Sequence, residues 1–413
     1  MTDAVAPTDL PIASSGPVAS PLPPASPVIF TGVRRDFRRL VTRGAWLELI
    51  TLGFYRFWLA TDMRRHLWSH TSVEGDAPEY TGTAKELLIG FLIALAILVP
   101  LNLAYFFLAL EVELWKAFAS IPLLIFVFLF YQFAKYRARR YRLTRTIWRG
   151  VRFWMKGSGW SYAWRVGLWT LLAIITLGLA LPWYQAALER FKMKNSFYGD
   201  LPGRFDGTGG ALFAKVWWLW LATVLMIVVA GLLAWASPPA GGAFVTLISL
   251  WLPFGYAIYK ANEWRWWVSG IRFGEVRFEC KLTDIALIDL YWIVIGWSWA
   301  IMMVLFVWIL AVFGVGYVVA RVLGGTGPDA FVALAENSVA MGGLIVVGVL
   351  GYLACALALG VVIRMYLRRD VWARIAASTV VYNLSAADNV VARGDTVNAV
   401  GEGFADSFDI GGF

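Results

Sequence analysis

Two cysteines, two histidines and a charged fraction of 15% are what this 413-residue chain has least of. Cys280 lies in a polar stretch and Cys355 in an apolar one, so they build neither a disulfide framework nor a metal-ligand spacing. His66 and His70 are four apart and could share a helix face. Two imidazoles with no cysteine and no carboxylate pair beside them make a poor metal site, and next to Trp68 they read as interfacial side chains. No phosphate-binding glycine loop, nucleophile elbow or metal pair occurs. The run Gly203 to Gly210 has no Lys-Ser/Thr behind it and reads as a turn. No acid, base or nucleophile set converges, so neither an enzyme nor a cofactor is expected.

What the chain has is apolar surface. Hydrophobic residues make up 60%, with 23 Trp and 27 Phe, and mean hydropathy is +0.66. That lies outside the range of soluble domains. Bulky rings in such numbers suit a bilayer interface. The net charge of +9 would suggest nucleic acid in a soluble protein. Here the basic residues sit in short stretches beside apolar spans, where the positive-inside effect and anionic lipid headgroups account for them. The expected partners are therefore the bilayer and anionic headgroups, not nucleic acid; a homo-oligomer stays open.

The chain also repeats itself. Ile50-Thr51-Leu52-Gly53 returns as Ile175-Thr176-Leu177-Gly178, and Tyr80-Thr81-Gly82-Thr83 as Phe205-Asp206-Gly207-Thr208, both at an offset of 125. Gly32-Val33-Arg34 is echoed at Gly150 and again at Gly270, which points to a third unit. The chain divides into a Pro/Ala-rich disordered tail (1–29), three membrane repeats (30–149, 150–269 and a divergent 270–384) and an acidic tail (385–413).

Six stretches read as spans: 87–110, 117–133, 212–235, 244–259, about 299–322 and 341–363. Segment 45–58 is too short to cross comfortably and is basic at both ends. It reads as re-entrant or interfacial, or else as a tilted span with Arg56 snorkelling. Segment 163–184 is long enough to span, but its basic flanks favour a return to the same face. The turn-rich polar stretches near 62–85, 195–210 and 268–281 suggest small β-hairpins. Nine basic residues and no acid between Lys135 and Lys156 place that loop in the cytoplasm. The expected fold is thus an all-α polytopic membrane protein. It has internal repeats, six transmembrane helices, two or three short re-entrant or interfacial segments, small cytoplasmic β-hairpins and both termini inside. Eight or nine full spans is the alternative. The acidic tail reads as solvated, or as docking on the basic face.

Ionisable residues inside apolar segments are the best functional pointers. Glu48 and Arg56 lie eight apart, two turns of a continuous helix. Asp289 sits among Leu287, Ile288, Leu290 and Tyr291. These three could line a polar pathway for an ion or solute, lie at the interface, or form salt bridges between units. Gly53, Gly178 and Pro182 are candidate helix breaks. Thr83 and Glu86 have the spacing of a capping box.

Phe30-Thr31-Gly32, the run Leu49 to Trp58, Arg64 to Trp68 and Tyr80 to Gly90 together resemble the YjgN family of bacterial inner-membrane proteins. The second copy continues the likeness through Leu177-Gly178, Pro182-Trp183 and Phe205-Asp206-Gly207. The likeness runs through most of the chain from about residue 30, but the third unit lacks the Thr-Leu-Gly signature. The resemblance implies inner-membrane location and repeat architecture, and no reaction. The functional expectation is a transporter or channel for a small solute or ion. The alternative is a non-transporting scaffold, or a lipid- or protein-interaction protein of the cell envelope.

Overall fold

Helix α1 (Arg34–Ile50) ends at Thr51-Leu52-Gly53, and α2 (Arg56–Ser69) runs back beside it. Leu52 and Gly53 have φ of +50° and +89°, through which a right-handed helix cannot continue. The Gly53 N–H donates to the Glu48 carbonyl at 2.7 Å, the long-range bond of a Schellman close. Leu177 and Gly178 repeat this between α5 (Gly159–Ile175) and α6 (Leu181–Lys194), with φ of +50° and +84° and a 2.7 Å bond from Gly178 to the Ala173 carbonyl. Pro182 sits in the first turn of α6, where its missing N–H costs nothing. Each first helix is about 25 Å long, short of the ~30 Å hydrocarbon core. Ile50, Leu52, Ile175 and Leu177 at the two tips are 70% to 84% exposed. Segment 45–58 is therefore not one short helix but the tip of a hairpin, and residues 62–69, expected in a polar β-hairpin, are helical.

The structure, a computed structural model, describes residues 25–111, 116–323 and 330–394. The proline-rich tail up to 24, the outer loop at 324–329 and most of the acidic tail lie outside the described residues.

Among the described residues, six helices are long and apolar enough to cross a membrane: α3 (Ala84–Glu111), α4 (Lys116–Thr144), α7 (Gly209–Ala236), α8 (Pro238–Gly270), α9 (Ile288–Val322) and α11 (Ser338–Ile363). A short α10 (Ala330–Glu336) precedes α11. Thr83 and Glu86 make the reciprocal bonds of a capping box at the start of α3, at 3.3 and 3.4 Å. Several helices overrun their expected spans. The basic residues from Lys135 to Arg142 belong to α4 rather than to a loop, because Lys and Arg favour helix and nothing breaks it there. Likewise α9 is one helix from Ile288, with no separate interfacial piece. Beyond α11 the chain widens into a π-helical turn (Arg364–Asp370) and then α12 (Val371–Ala377).

The all-α expectation is corrected by a ten-stranded antiparallel sheet. Its strands are β1 (Ala25–Phe30), β2 (Thr71–Val73), β3 (Glu79–Tyr80), β4 (Thr146–Trp148), β5 (Val151–Met155), β6 (Ser196–Tyr198), β7 (Leu201–Phe205), β8 (Ile271–Phe273), β9 (Val276–Cys280) and β10 (Thr379–Tyr382). Their spatial order is β2-β1-β10-β9-β8-β7-β6-β5-β4-β3. The two outermost strands, β2 and β3, are consecutive in the chain and joined only by residues 74–78, so the sheet curls until its edges nearly meet. At that seam the Trp148 indole donates to the Asp76 carbonyl at 3.3 Å, and Arg149 binds Glu74, Asp76 and Asp388 at 3.0, 2.5 and 2.8 Å. Asp388 is thus one acid of the C-terminal stretch that does dock.

One device joins helices to strands. Thr71, Thr146, Ser196 and Thr379 each open a strand and donate a hydroxyl to the carbonyl four residues back, at 2.7 to 2.9 Å. The orphan carbonyls of a helix end are satisfied in this way. Elements recur at an offset of 125: α1 and α5, β2 and β6, α3 and α7, β5 and β9. After β9 a long helix follows directly, so no third short hairpin is present among the described residues. Each helix from α1 to α9 packs on its neighbours in sequence, α9 packs on α11, and α11 returns to α1. A ring of helices thus stands on a ring of strands. The most apolar window of each long helix is buried within the protein by a third or less, which leaves broad surface for lipid.

Candidate functional site

The helical ring closes where α1 meets the end of α11, and the charges flagged in the sequence gather there. Glu48 is 5% exposed and receives both guanidinium nitrogens of Arg364 at 2.9 to 3.1 Å. Arg364 opens the π-helical turn, whose wider coil is a frequent mark of functional sites. Six residues on, buried Asp370 accepts from Arg369 at 2.6 Å and Arg34 at 3.0 Å, while Arg369 also reaches the Gly32 carbonyl at 2.5 Å. Asp289, at the start of α9, takes two 2.5 Å bonds from Arg374 of α12, which also bonds the Ala286 carbonyl. Carboxylates of the first and ninth helices are therefore both held by arginines of the last helical run, a charge-assisted clasp between distant parts of the chain.

Arg56 stands apart from this clasp. The two-turn spacing from Glu48 assumed a continuous helix, but the chain turns at Leu52-Gly53 and puts Arg56 on α2. Its guanidinium lies over the rings of Phe57 and Phe91, at 4.8 and 4.4 Å.

Beside the clasp runs a groove of about 490 Å³. One wall carries Arg34, Arg35, Arg38 and Thr42 of α1, and the other carries Trp297, Val361, Val362, Met365 and Tyr366. Arg34 is engaged by Asp370 and stacks on Tyr366 at 4.8 Å. Arg35 and Arg38 have no ion-pair, hydrogen-bond or aromatic partner among the described residues. The groove is thus cationic along one side and apolar along the other. A smaller cavity of about 330 Å³ adjoins it through Arg34 and Tyr366, and Asp289 and Arg374 lie in its wall.

Sequence reasoning gave Arg34 to Arg43 and Arg364 to Arg374 no role in a site. Their roles as clasp and groove needed the ring to close. The signal available was five arginines with one acid, Asp36, ahead of the first apolar segment.

The rings of His66 and His70 meet at 4.2 Å, tilted by 30°, at the C-terminal end of α2. Burial, then His70 and Arg369, pull the His66 imidazole below its ordinary range. No group of three or more potential metal ligands occurs among the described residues.

A family model described as bacterial protein of unknown function (DUF898) matches residues 25–407. No curated protein and no solved structure matches the chain.

Proposed function

We propose that this chain, which belongs to the bacterial family of unknown function DUF898 that also holds YjgN, is a multi-pass membrane protein that binds anionic phospholipid in the groove beside α1. The observation that carries the reading is the pairing of two partnerless arginines, Arg35 and Arg38, with an apolar wall of Trp297, Val361 and Val362 in one groove. A phosphate can take the guanidinium forks while an acyl chain lies along the wall. The protein lies in the inner membrane, with the sheet and both termini on the cytoplasmic side. The basic run of α4 and β5, set at the sheet end, supports that orientation. The role is one of binding, not of catalysis.

A transporter is the second reading, favoured by the two hairpins that turn back at corresponding positions, Gly53 and Gly178. It ranks lower because Glu48 and Asp289 are already neutralised by Arg364 and Arg374.

Each arginine near an anionic surface contributes about 1 kcal/mol, so losing two should weaken anionic lipid binding by roughly 30-fold. The protein is purified in mild detergent, and retained lipid is measured by mass spectrometry for the natural chain and for Arg35→Ala/Arg38→Ala. Enrichment of phosphatidylglycerol over phosphatidylcholine, lost in the double variant, is the expected result. Equal retention of both lipids by both proteins overturns the reading.

A further inference from the structure

The curled sheet borders a second space, which shares no wall residue with the arginine groove. Side chains from eight of its ten strands border one cavity of about 370 Å³. The alternation of the strands puts them there: Thr146 and Trp148 of β4, or Thr379 and Val381 of β10, two apart and on the same face. Strands near both edges of the sheet share this cavity with those at its middle, so the space is the inside of the curl.

Its walls offer a ligand almost no hydrogen bonds. Thr71, Thr146 and Thr379 have spent their hydroxyl protons on helix carbonyls. Thr71 and Thr146 also accept from the indoles of Trp372 and Trp68, at 2.8 and 3.1 Å. The Tyr198 hydroxyl donates to the Trp148 carbonyl at 2.9 Å. Water placed against these walls would find few of the two to four polar partners it needs, and an engineered apolar cavity of about 150 Å³ takes up benzene. The volume falls within the range of small-molecule sites.

The chain's own C-terminal stretch borders the cavity only through Leu384 and Ala387 and then turns away from it. The Val391 N–H donates to Asp200 at 3.1 Å, and Gly394 packs against Trp154. Phe153, the residue before Trp154, borders the cavity, so Trp154 belongs to the outer face. The segment therefore leaves over the outside of the sheet.

We propose that the curled sheet is a binding site for a small uncharged apolar molecule, hydrocarbon or aromatic, that requires no hydrogen bond. Neither the phospholipid groove nor its occupant enters this inference.

The test uses the full chain in nanodiscs and a neutral photoprobe, a phenyl diazirine carrying a trifluoromethyl group, with adducts mapped by peptide mass spectrometry. Adducts are expected on lipid-facing helices and also on strands β4 to β6, β9 and β10. Val381→Trp and Ala387→Phe each push a ring into the cavity from a different side. Either variant should lose the strand adducts and keep the helix adducts, which report intact insertion. A natural chain labelled on helices alone overturns the proposal, whether the cavity holds a segment of this chain or is closed to solutes. Strand labelling that persists in both filled variants overturns it as well.

Discussion

Glu48→Gln removes one partner of the clasp at nearly constant volume and leaves Arg364 with a neutral amide. Glu48 is 5% exposed, and Arg364 makes three bonds to it between 2.9 and 3.1 Å. Breaking a buried pair on one side typically costs about 3–5 kcal/mol, because the remaining charge is left without compensation. Arg364 keeps 21% of its side chain exposed, which places the expected loss near the lower end, about 3 kcal/mol. Replacing both partners is a different matter. Glu48→Leu with Arg364→Met substitutes packing for the pair, and such exchanges are often neutral or stabilising. The assay is thermal unfolding of the natural chain, Glu48→Gln, the singles Glu48→Leu and Arg364→Met, and their double variant in one nanodisc composition. The expected coupling is about 2–3 kcal/mol, the double variant lying well above the sum of the singles. Singles within about 0.5 kcal/mol of the natural chain would refute the clasp as a stabilising element. A Glu48→Gln chain with unchanged stability but a lost solute flux in proteoliposomes would return Glu48 to the transport reading.

Two further outcomes follow from backbone and burial. Gly53→Ala and Gly178→Ala should each lower stability by about 1 kcal/mol through backbone strain, since a Cβ at Gly53 would meet no atom within 4 Å and one at Gly178 only Leu181 at 3.5 Å; a clearly larger loss in thermal unfolding at either site would show that space, not φ, is limiting. Burial, His70 and Arg369 lower the folded pKa of His66 below 6.5. The unfolded chain then binds this proton first, so stability is complete above about pH 6.5 and declines as pH falls below it. The slope should flatten in His66→Phe, and an unchanged thermal-stability profile between pH 5 and 7 would refute this.

The six long helices were legible because 20-residue apolar runs have few other readings, and the hairpin tips because Leu-Gly recurs at a fixed offset. Glu48 and Asp289 stood out as charges among apolar neighbours. Their partners did not, since Arg364 lies 316 residues from Glu48 and Arg374 lies 85 from Asp289. The sheet was legible only in pieces. Strands of two to six residues give little periodicity, and no local pattern pairs β1 with β10 or tells a lone hairpin from one segment of a curl. Thr71, Thr146, Ser196 and Thr379 carried a hint, a hydroxyl residue following each basic helix end, but its meaning depends on the strand that follows.

The neighbouring positions of β1 and β10 set a timetable for biogenesis. Some 350 residues separate the two strands, and at bacterial or slower synthesis rates β10 emerges about 20–70 seconds after β1. Through that interval β1 has one free edge, the arginine-rich first helix has no Asp370, and Glu48 has no Arg364. The nascent chain must hold these groups at the wet surface of the bilayer and release them inward only when the last strand arrives. A ribosome stalled before residue 364 would therefore carry an open chain of otherwise finished hairpins, sensitive to protease at its N-terminal strand. Completion of the stretch from Arg364 to Tyr382 would close the whole assembly at once.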